Sequence, residues 1–193
     1  MPKNRLLRTL AWMCLAASVA CAGDVPRPAP DFAINFPNGQ PIHLSQYRGK
    51  AVALAFILTT CPHCQKTIGF LSTMQNEYGP RGLQVIASAI EDMAAMNLPD
   101  FISRFKPPFP VGLNNQNDVL PFLQHPVMLR LLMPQMAFID RQGVIRAQYA
   151  GDDKFFEEKD QEKNLRAQIE TLLKEGAAAP KKHTAAKAAK KAS

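Results

Sequence analysis

Cysteine is scarce in this chain of 193 residues: there are four, at positions 14, 21, 61 and 64. A scaffold stapled by disulfides would use more pairs at wider spacing, so that class is excluded. A bridge between Cys61 and Cys64 would close too short a loop to stabilise much through chain entropy. A second C-x-x-C is missing, and His43, His63 and His125 lack clear ligand spacing, so a zinc centre with its four ligands is not expected. Gln65 follows Cys64 where covalent haem attachment would need histidine. No internal repeat is present. The apolar run Leu10–Ala17 is too short for a comfortable membrane span. The folded part also lacks a basic excess. Eight of the 23 basic residues stand at the two ends (Lys3, Arg5, Arg8, Lys181, Lys182, Lys187, Lys190, Lys191), which leaves 15 against 16 acidic residues. The sequence pI of 9.4 therefore gives no ground for nucleic-acid binding.

Cys61-Pro62-His63-Cys64 is the motif that carries chemistry. It follows the apolar run Ala51–Leu58 and opens a stretch with Ile68, Leu71, Met74 and Tyr78 near helical spacing. A buried strand leading into C-x-x-C at a helix start brings two sulfurs within reach of each other. The helix N-terminus favours one of them as thiolate, the form that attacks disulfides. The expected chemistry is thiol–disulfide exchange.

The ends read separately. Residues 1–22 resemble an export signal, with basic residues, an apolar core and then small residues. Cleavage after Ala20 or Ala22 is one outcome. Lipidation of Cys21 is another, since Ser18-Val19-Ala20-Cys21 resembles a bacterial lipobox with Ser where Leu is usual, and an uncleaved anchor is the third. A lipidated Cys21 would hold the protein on a membrane surface. Residues 23–30 read as a Pro-rich linker and 31–176 as the folded domain. Residues 177–193 read as a disordered Ala/Lys-rich tail with the option of loose attachment to anionic lipids. The expected location is outside the cytoplasm, in a bacterial periplasm or on a membrane.

Within the domain, Asn38-Gly39 between short alternating segments predicts a hairpin. Strands are expected at 51–58, 83–90, near 111–113, at 136–140 and at 144–149. Helices are expected over 62–78, over 96–105 with Leu98, Ile102 and Phe105 inward, near 117–123, and over 160–175 with Leu165, Ile169, Leu172 and Leu173 inward. This order predicts an α/β sandwich whose first strands are parallel and whose last hairpin is antiparallel. Glu91-Asp92 read as a loop or cap. Met128, Met133 and Met136 read as core packing or an apolar docking surface.

Several stretches together resemble the thioredoxin-like superfamily, nearest to exported thiol oxidoreductases of the TlpA/ResA and redoxin type. They are Ala29–Phe32, Leu44–Lys50, the strand into Cys61–Cys64, Met133-Pro134 and Phe138–Ile145. The resemblance implies a three-layer α/β/α sandwich around a mixed sheet. It implies that Cys61 is the exposed nucleophile, that Cys64 resolves the mixed disulfide, and that the two form a redox-active disulfide. Pro62 suits the first helical turn. Met133-Pro134 looks like the cis-proline loop beside the first cysteine, where Met133 would pair with an extended substrate segment. The expected partners are protein thiols and disulfides and a redox partner protein, with no cofactor and no metal.

Two departures stand out. Many relatives of the TlpA/ResA type carry an acid three residues after the second cysteine, and here it is Thr67. The Pro-His dipeptide instead matches DsbA-type oxidases, and an imidazole at His63 would favour the Cys61 thiolate. A reduction potential above the thioredoxin end, about −270 mV, is expected. Two other functions share parts of the pattern. One is a peroxiredoxin-like peroxidase, although Leu58 stands where a threonine is usual. The other is a copper chaperone using the cysteines with nearby Met or His.

Overall fold

The structure, a computed structural model, describes residues 23–37 and 39–175. The expected signal with Cys14 and Cys21, the basic tail and Asn38 of the hairpin turn lie outside the described residues. Twelve elements follow in order: β1 (Arg27–Pro28), β2 (Ala33–Ile34), β3 (Ile42–His43), β4 (Ala51–Ile57), α1 (Pro62–Tyr78), β5 (Leu83–Ala89), α2 (Ala94–Phe105), β6 (Val111–Leu113), α3 (Gln116–Leu123), β7 (Gln135–Ile139), β8 (Val144–Tyr149) and α4 (Gln161–Glu175).

Six strands form one mixed sheet in the order β1-β8-β7-β4-β5-β6. β4, β5 and β6 run parallel, and β7 and β8 are antiparallel to their neighbours. β4 is apolar at every position because both its faces are covered. Ala51, Ala53, Ala55 and Ile57 face the core shared with α1, α2 and α4. Val52, Leu54 and Phe56 face the core shared with α3 and the β2–β3 hairpin. On that second side Phe32, Phe56 and Phe122 pack with ring centroids 5.0–5.7 Å apart. This is the expected three-layer α/β/α architecture.

Local signals explain the boundaries. α1 begins with Pro62, whose missing N–H falls where no helical partner exists. Gly82 at φ +100° turns the chain from the α1 exit into β5, a conformation that favours glycine. α3 opens on a capping box in which Asp118 N–H donates to Asn115 Oδ1 at 3.0 Å and Asn115 N–H donates back to Asp118 Oδ2 at 3.4 Å.

Two expectations change. Within the Pro-rich stretch 23–30, Arg27–Pro28 is a sheet strand paired with Ile145 and Val144. Arg27 is buried, and its Nη2 donates to Phe122 O at 2.9 Å and to Gln148 Oε1 at 2.7 Å. A linker assignment reads local composition and misses this distant pairing. The inward face of α2 is Ala94, Leu98 and Phe101, with Phe105 at its rim, while Ile102 is exposed. The helix packs through the i, i+3, i+7 row of Leu98, Phe101 and Phe105, and Ile102 falls on the solvent flank.

Candidate active site

The parallel pairing of β4 with β5 sets the site. It places the residues just after the two strands side by side at one sheet edge. β7 runs antiparallel to β4, so its first residues arrive at the same edge. Three segments meet there: Thr59–Cys64, Ile90–Asp92 and Met133–Gln135.

Cys61 is the N-cap of α1, in an extended conformation, and it is half-buried. Its N–H donates to Leu58 O at 3.2 Å. Cys64, one turn in, is fully buried against the helical-side core. The backbone N–H of Leu58 approaches Cys64 Sγ at 3.5 Å. Burial pushes the Cys64 thiol well above its ordinary range. The neighbouring Cys61 sulfur and the Glu91 carboxylate push in the same direction, against the Leu58 N–H. The two cysteines therefore differ: one reaches solvent, and the other is stored as a neutral thiol.

Glu91, read from the sequence only as a loop or cap residue, also reaches the cysteine loop. Its Oε1 accepts the Thr59 N–H at 2.9 Å and the Thr59 hydroxyl as well. Its Oε2 is buried with no hydrogen-bond partner among the described residues. The backbone of Glu91 does serve the expected local role, since its carbonyl accepts the Ala94 N–H at 2.9 Å at the start of α2. Its side chain turns instead to the cysteine loop. An acid directly after a buried strand that pairs in parallel with the cysteine strand is the signal that could have found it.

The other expected residues fall as follows. Pro62 occupies the first helical position and His63 is exposed in the first turn. Thr67, three residues after the second cysteine, accepts a bond from Gln161 Nε2 at 2.6 Å and donates to His63 O at 2.9 Å, which ties α1 to α4. Met133-Pro134 is a cis peptide bond, and Met133 packs at the rim of the core that Cys61 also touches. A second cis bond, Val25-Pro26, had no marker in the sequence. His43 pairs with Asp31 at 3.1 Å and His125 Nε2 meets Leu129 O at 3.3 Å, each away from the cysteines in partnership. Gln65 Nε2 donates to Thr59 O at 2.8 Å and fixes the loop ahead of Cys61. Among the described residues no helix is long and apolar enough to cross a membrane.

Chemically, the edge offers an accessible sulfur, a buried sulfur one helical turn away, and a carboxylate oxygen without a donor. That set can form and break a two-sulfur bridge beside a buried carboxylate oxygen.

Comparison with known proteins agrees with this geometry. The Redoxin family model matches residues 24–169. The thiol-disulfide oxidoreductase ResA of Bacillus cereus is 25% identical over 166 residues, covering 79% of this chain and 91% of that protein. ResA of Geobacillus thermodenitrificans is 30% identical over 92 residues, 48% of this chain and 52% of that protein. Among solved structures, a protein described as thiol:disulfide interchange protein DsbE from Chlorobium tepidum superposes with a TM-score of 0.66 at 25% identity, over 78% of this chain and 98% of that one.

Proposed function

The chain belongs to the Redoxin family, and on that premise we propose that it is an exported thiol:disulfide oxidoreductase exchanging disulfides with protein substrates through Cys61 and Cys64. One observation carries the reading: a half-exposed cysteine caps α1 one turn ahead of a fully buried one that burial holds as a thiol.

In the reductive direction, the Cys61 thiolate attacks one sulfur of a substrate disulfide. A Cys61–substrate disulfide forms and the second substrate sulfur leaves as thiolate, to be protonated by water. Cys64 then gives its proton to Glu91 Oε2 and attacks the Cys61 sulfur. The Cys61–Cys64 disulfide forms and the first substrate sulfur leaves. The substrate gains two electrons and the site loses two. A dithiol protein partner restores the site by the same steps reversed, and with a disulfide partner the cycle runs as oxidation. The cis Met133-Pro134 segment offers backbone beside Cys61 for an extended substrate strand.

The domain plan belongs to the same proposal: residues 1–22 direct export, ending in cleavage after Ala20 or Ala22 or in lipidation of Cys21, and 177–193 form a basic tail. The basic-apolar-small order of residues 1–22 and the Ala/Lys-rich composition of 177–193 support it.

The experiment is equilibration of the protein in glutathione buffers of graded potential, with thiol trapping to count oxidised Cys61–Cys64. A single two-electron transition that Cys61→Ser and Cys64→Ser each abolish supports the reading. Failure to form the intramolecular disulfide refutes it. Peroxide consumption supported by a thiol donor would favour a peroxidase, and stoichiometric Cu(I) binding lost in Cys61→Ser would favour a copper chaperone.

A further inference from the structure

The exposed apolar side chains gather at one edge of the molecule. Of the eight large hydrophobics exposed among the described residues, six stand on two connections: Met93 and Met96 between β5 and the first turn of α2, and Val127, Met128, Leu129 and Leu132 between α3 and β7. Both connections end at the edge that carries Cys61. The second is the more pronounced. Val127 is 78% exposed and Met128 90%, more than any other large hydrophobic described.

This loop is ordered, and it still presents its apolar tip outward. Leu129 N–H donates to Pro126 O at 3.0 Å, Gly151 N–H donates to Leu132 O at 3.2 Å, and Gln135 Nε2 donates to Leu132 O at 2.7 Å. From Gln124 to Ile139 there is no acidic residue, and Arg130 is exposed beside the apolar tip. Apolar side chains with an adjacent cation and no acid within the segment are the composition that enters the interface of an anionic bilayer, and the exposed Asp152 and Asp153 stay at the base of the loop, beyond Gly151.

The path of the N-terminal segment selects the bilayer over other occupants. β1 pairs antiparallel with β8 through Arg27 and Ile145, so the chain before Arg27 runs toward the Tyr149 end of β8. That end pairs with Met136 and lies at the Cys61 edge. Gly23 arrives directly at the base of the loop, where a Cβ on it would stand 2.7 Å from Leu123 O and 2.8 Å from Gln124 Cβ. Residues 1–22, read as the export segment, thus join the described chain at the base of the exposed loop.

We propose that the loop Pro126–Leu132 enters an anionic bilayer surface to a depth of roughly 5–10 Å, so that the Cys61 edge faces the membrane. The inference rests on the reading of residues 1–22 as an export segment that leaves the protein held at a membrane. It adds a consequence for the substrate: the disulfide exchanged with Cys61 is presented close to the membrane plane.

The test uses the full chain with its own N-terminal segment, bound to vesicles of phosphatidylethanolamine and phosphatidylglycerol. Trp12, the single tryptophan, is replaced by Phe. A reporter is then placed by Met128→Trp, or, as control, by Gln142→Trp in the β7–β8 turn at the opposite edge. Co-sedimentation reads attachment, and quenching by brominated acyl chains reads depth. The expected result is co-sedimentation of both, with blue-shifted and quenched emission from position 128 alone. Co-sedimentation with position 128 unquenched overturns the loop assignment and leaves attachment standing. Absence of co-sedimentation overturns the attachment reading and the proposal with it. A blue shift at 128 without vesicles, accompanied by a dimer mass, assigns the loop to a second copy and refutes the proposal. A shift that needs an added unfolded, disulfide-bearing polypeptide assigns it to a protein partner and refutes it equally.

Discussion

Replacing Glu91 by Gln separates the two halves of the exchange reaction. The change removes the carboxylate that contacts the cysteine loop through Thr59 while keeping an oxygen for both Thr59 donors. The new amide nitrogen takes the place of Oε2, which has no partner among the described residues, so a buried donor is left unsatisfied at about 1–3 kcal/mol. Removal of a partly buried charge offsets part of that cost, and the fold survives. The kinetic effect is larger. A positioned proton acceptor contributes about 10²–10⁴-fold to a proton-transfer step, and an amide accepts no proton. Loss of the charge acts the other way, because Glu91 helps to hold the Cys64 proton. Burial is the first cause of that raised value, however, and the substitution leaves burial intact, so Cys64 stays a thiol at neutral pH. Resolution by Cys64 should therefore slow by about 10²–10⁴-fold while attack by Cys61 is unchanged. Mixing the reduced protein with a chromogenic aromatic disulfide in a stopped-flow instrument resolves the two steps, since each releases one coloured thiolate. The second release should slow in Glu91→Gln, and the gap should narrow as pH rises and hydroxide supplies the base. A second release at neutral pH as fast as in the unsubstituted protein refutes the assignment of Glu91 as proton acceptor.

Three further outcomes follow from burial and charge. The raised Cys64 value means that the reduced fold keeps a proton that the unfolded chain loses above the ordinary thiol value of 9.0. Stability of the reduced protein should hold below that pH and fall between pH 9 and 10 by up to about 1.4 kcal/mol per unit, a slope that Cys64→Ala flattens in urea titrations. Phe101→Ala should cost about 3–5 kcal/mol in the same assay, whereas Ile102→Ala, on the solvent flank of α2, should stay within about 0.5 kcal/mol. Arg27→Ala leaves Gln148 Oε1 without its 2.7 Å donor and should cost about 1–3 kcal/mol, with faster proteolysis across residues 23–30 as its local signature.

The layers were legible in the sequence because each reports a local period. β4 is apolar throughout, since two layers cover it, and α4 places Leu165, Ile169, Leu172 and Leu173 inward at helical spacing. The misreadings share one cause: each depends on a neighbour distant in the chain. Pro-Arg-Pro composition describes a linker until β8 arrives to pair with it. The choice between Phe101 and Ile102 depends on the side from which α2 meets the sheet, which periodicity alone leaves one residue uncertain. Glu91 reaches the cysteine loop only once β5 lies parallel beside β4. The methionines divide by place in the same way, with Met136 in the core and Met128 in solvent.

His63 poses a question that magnitudes decide. The Pro-His dipeptide led to the expectation of a potential above that of thioredoxin, with the imidazole as its source. The side chain is exposed, and it makes no hydrogen bond among the described residues. It can then act on Cys61 only through charge across solvent, and exposed charge pairs are worth about 0.2–1 kcal/mol. For a two-electron couple 30 mV corresponds to about 1.4 kcal/mol, so such a contribution moves the potential by roughly 5–20 mV. The interval from thioredoxin to DsbA is about 150 mV, several times more than this route supplies. His63→Ala should therefore lower the potential by at most about 20 mV, and the difference should shrink in high salt, where the Debye length falls to about 3 Å at 1 M. A drop approaching 100 mV, or one indifferent to salt, would mean that the imidazole bonds directly to the Cys61 sulfur and would overturn this account. An oxidising potential that survives His63→Ala would point instead to the α1 N-terminus, whose dipole favours a thiolate at its cap whatever the side chain at 63.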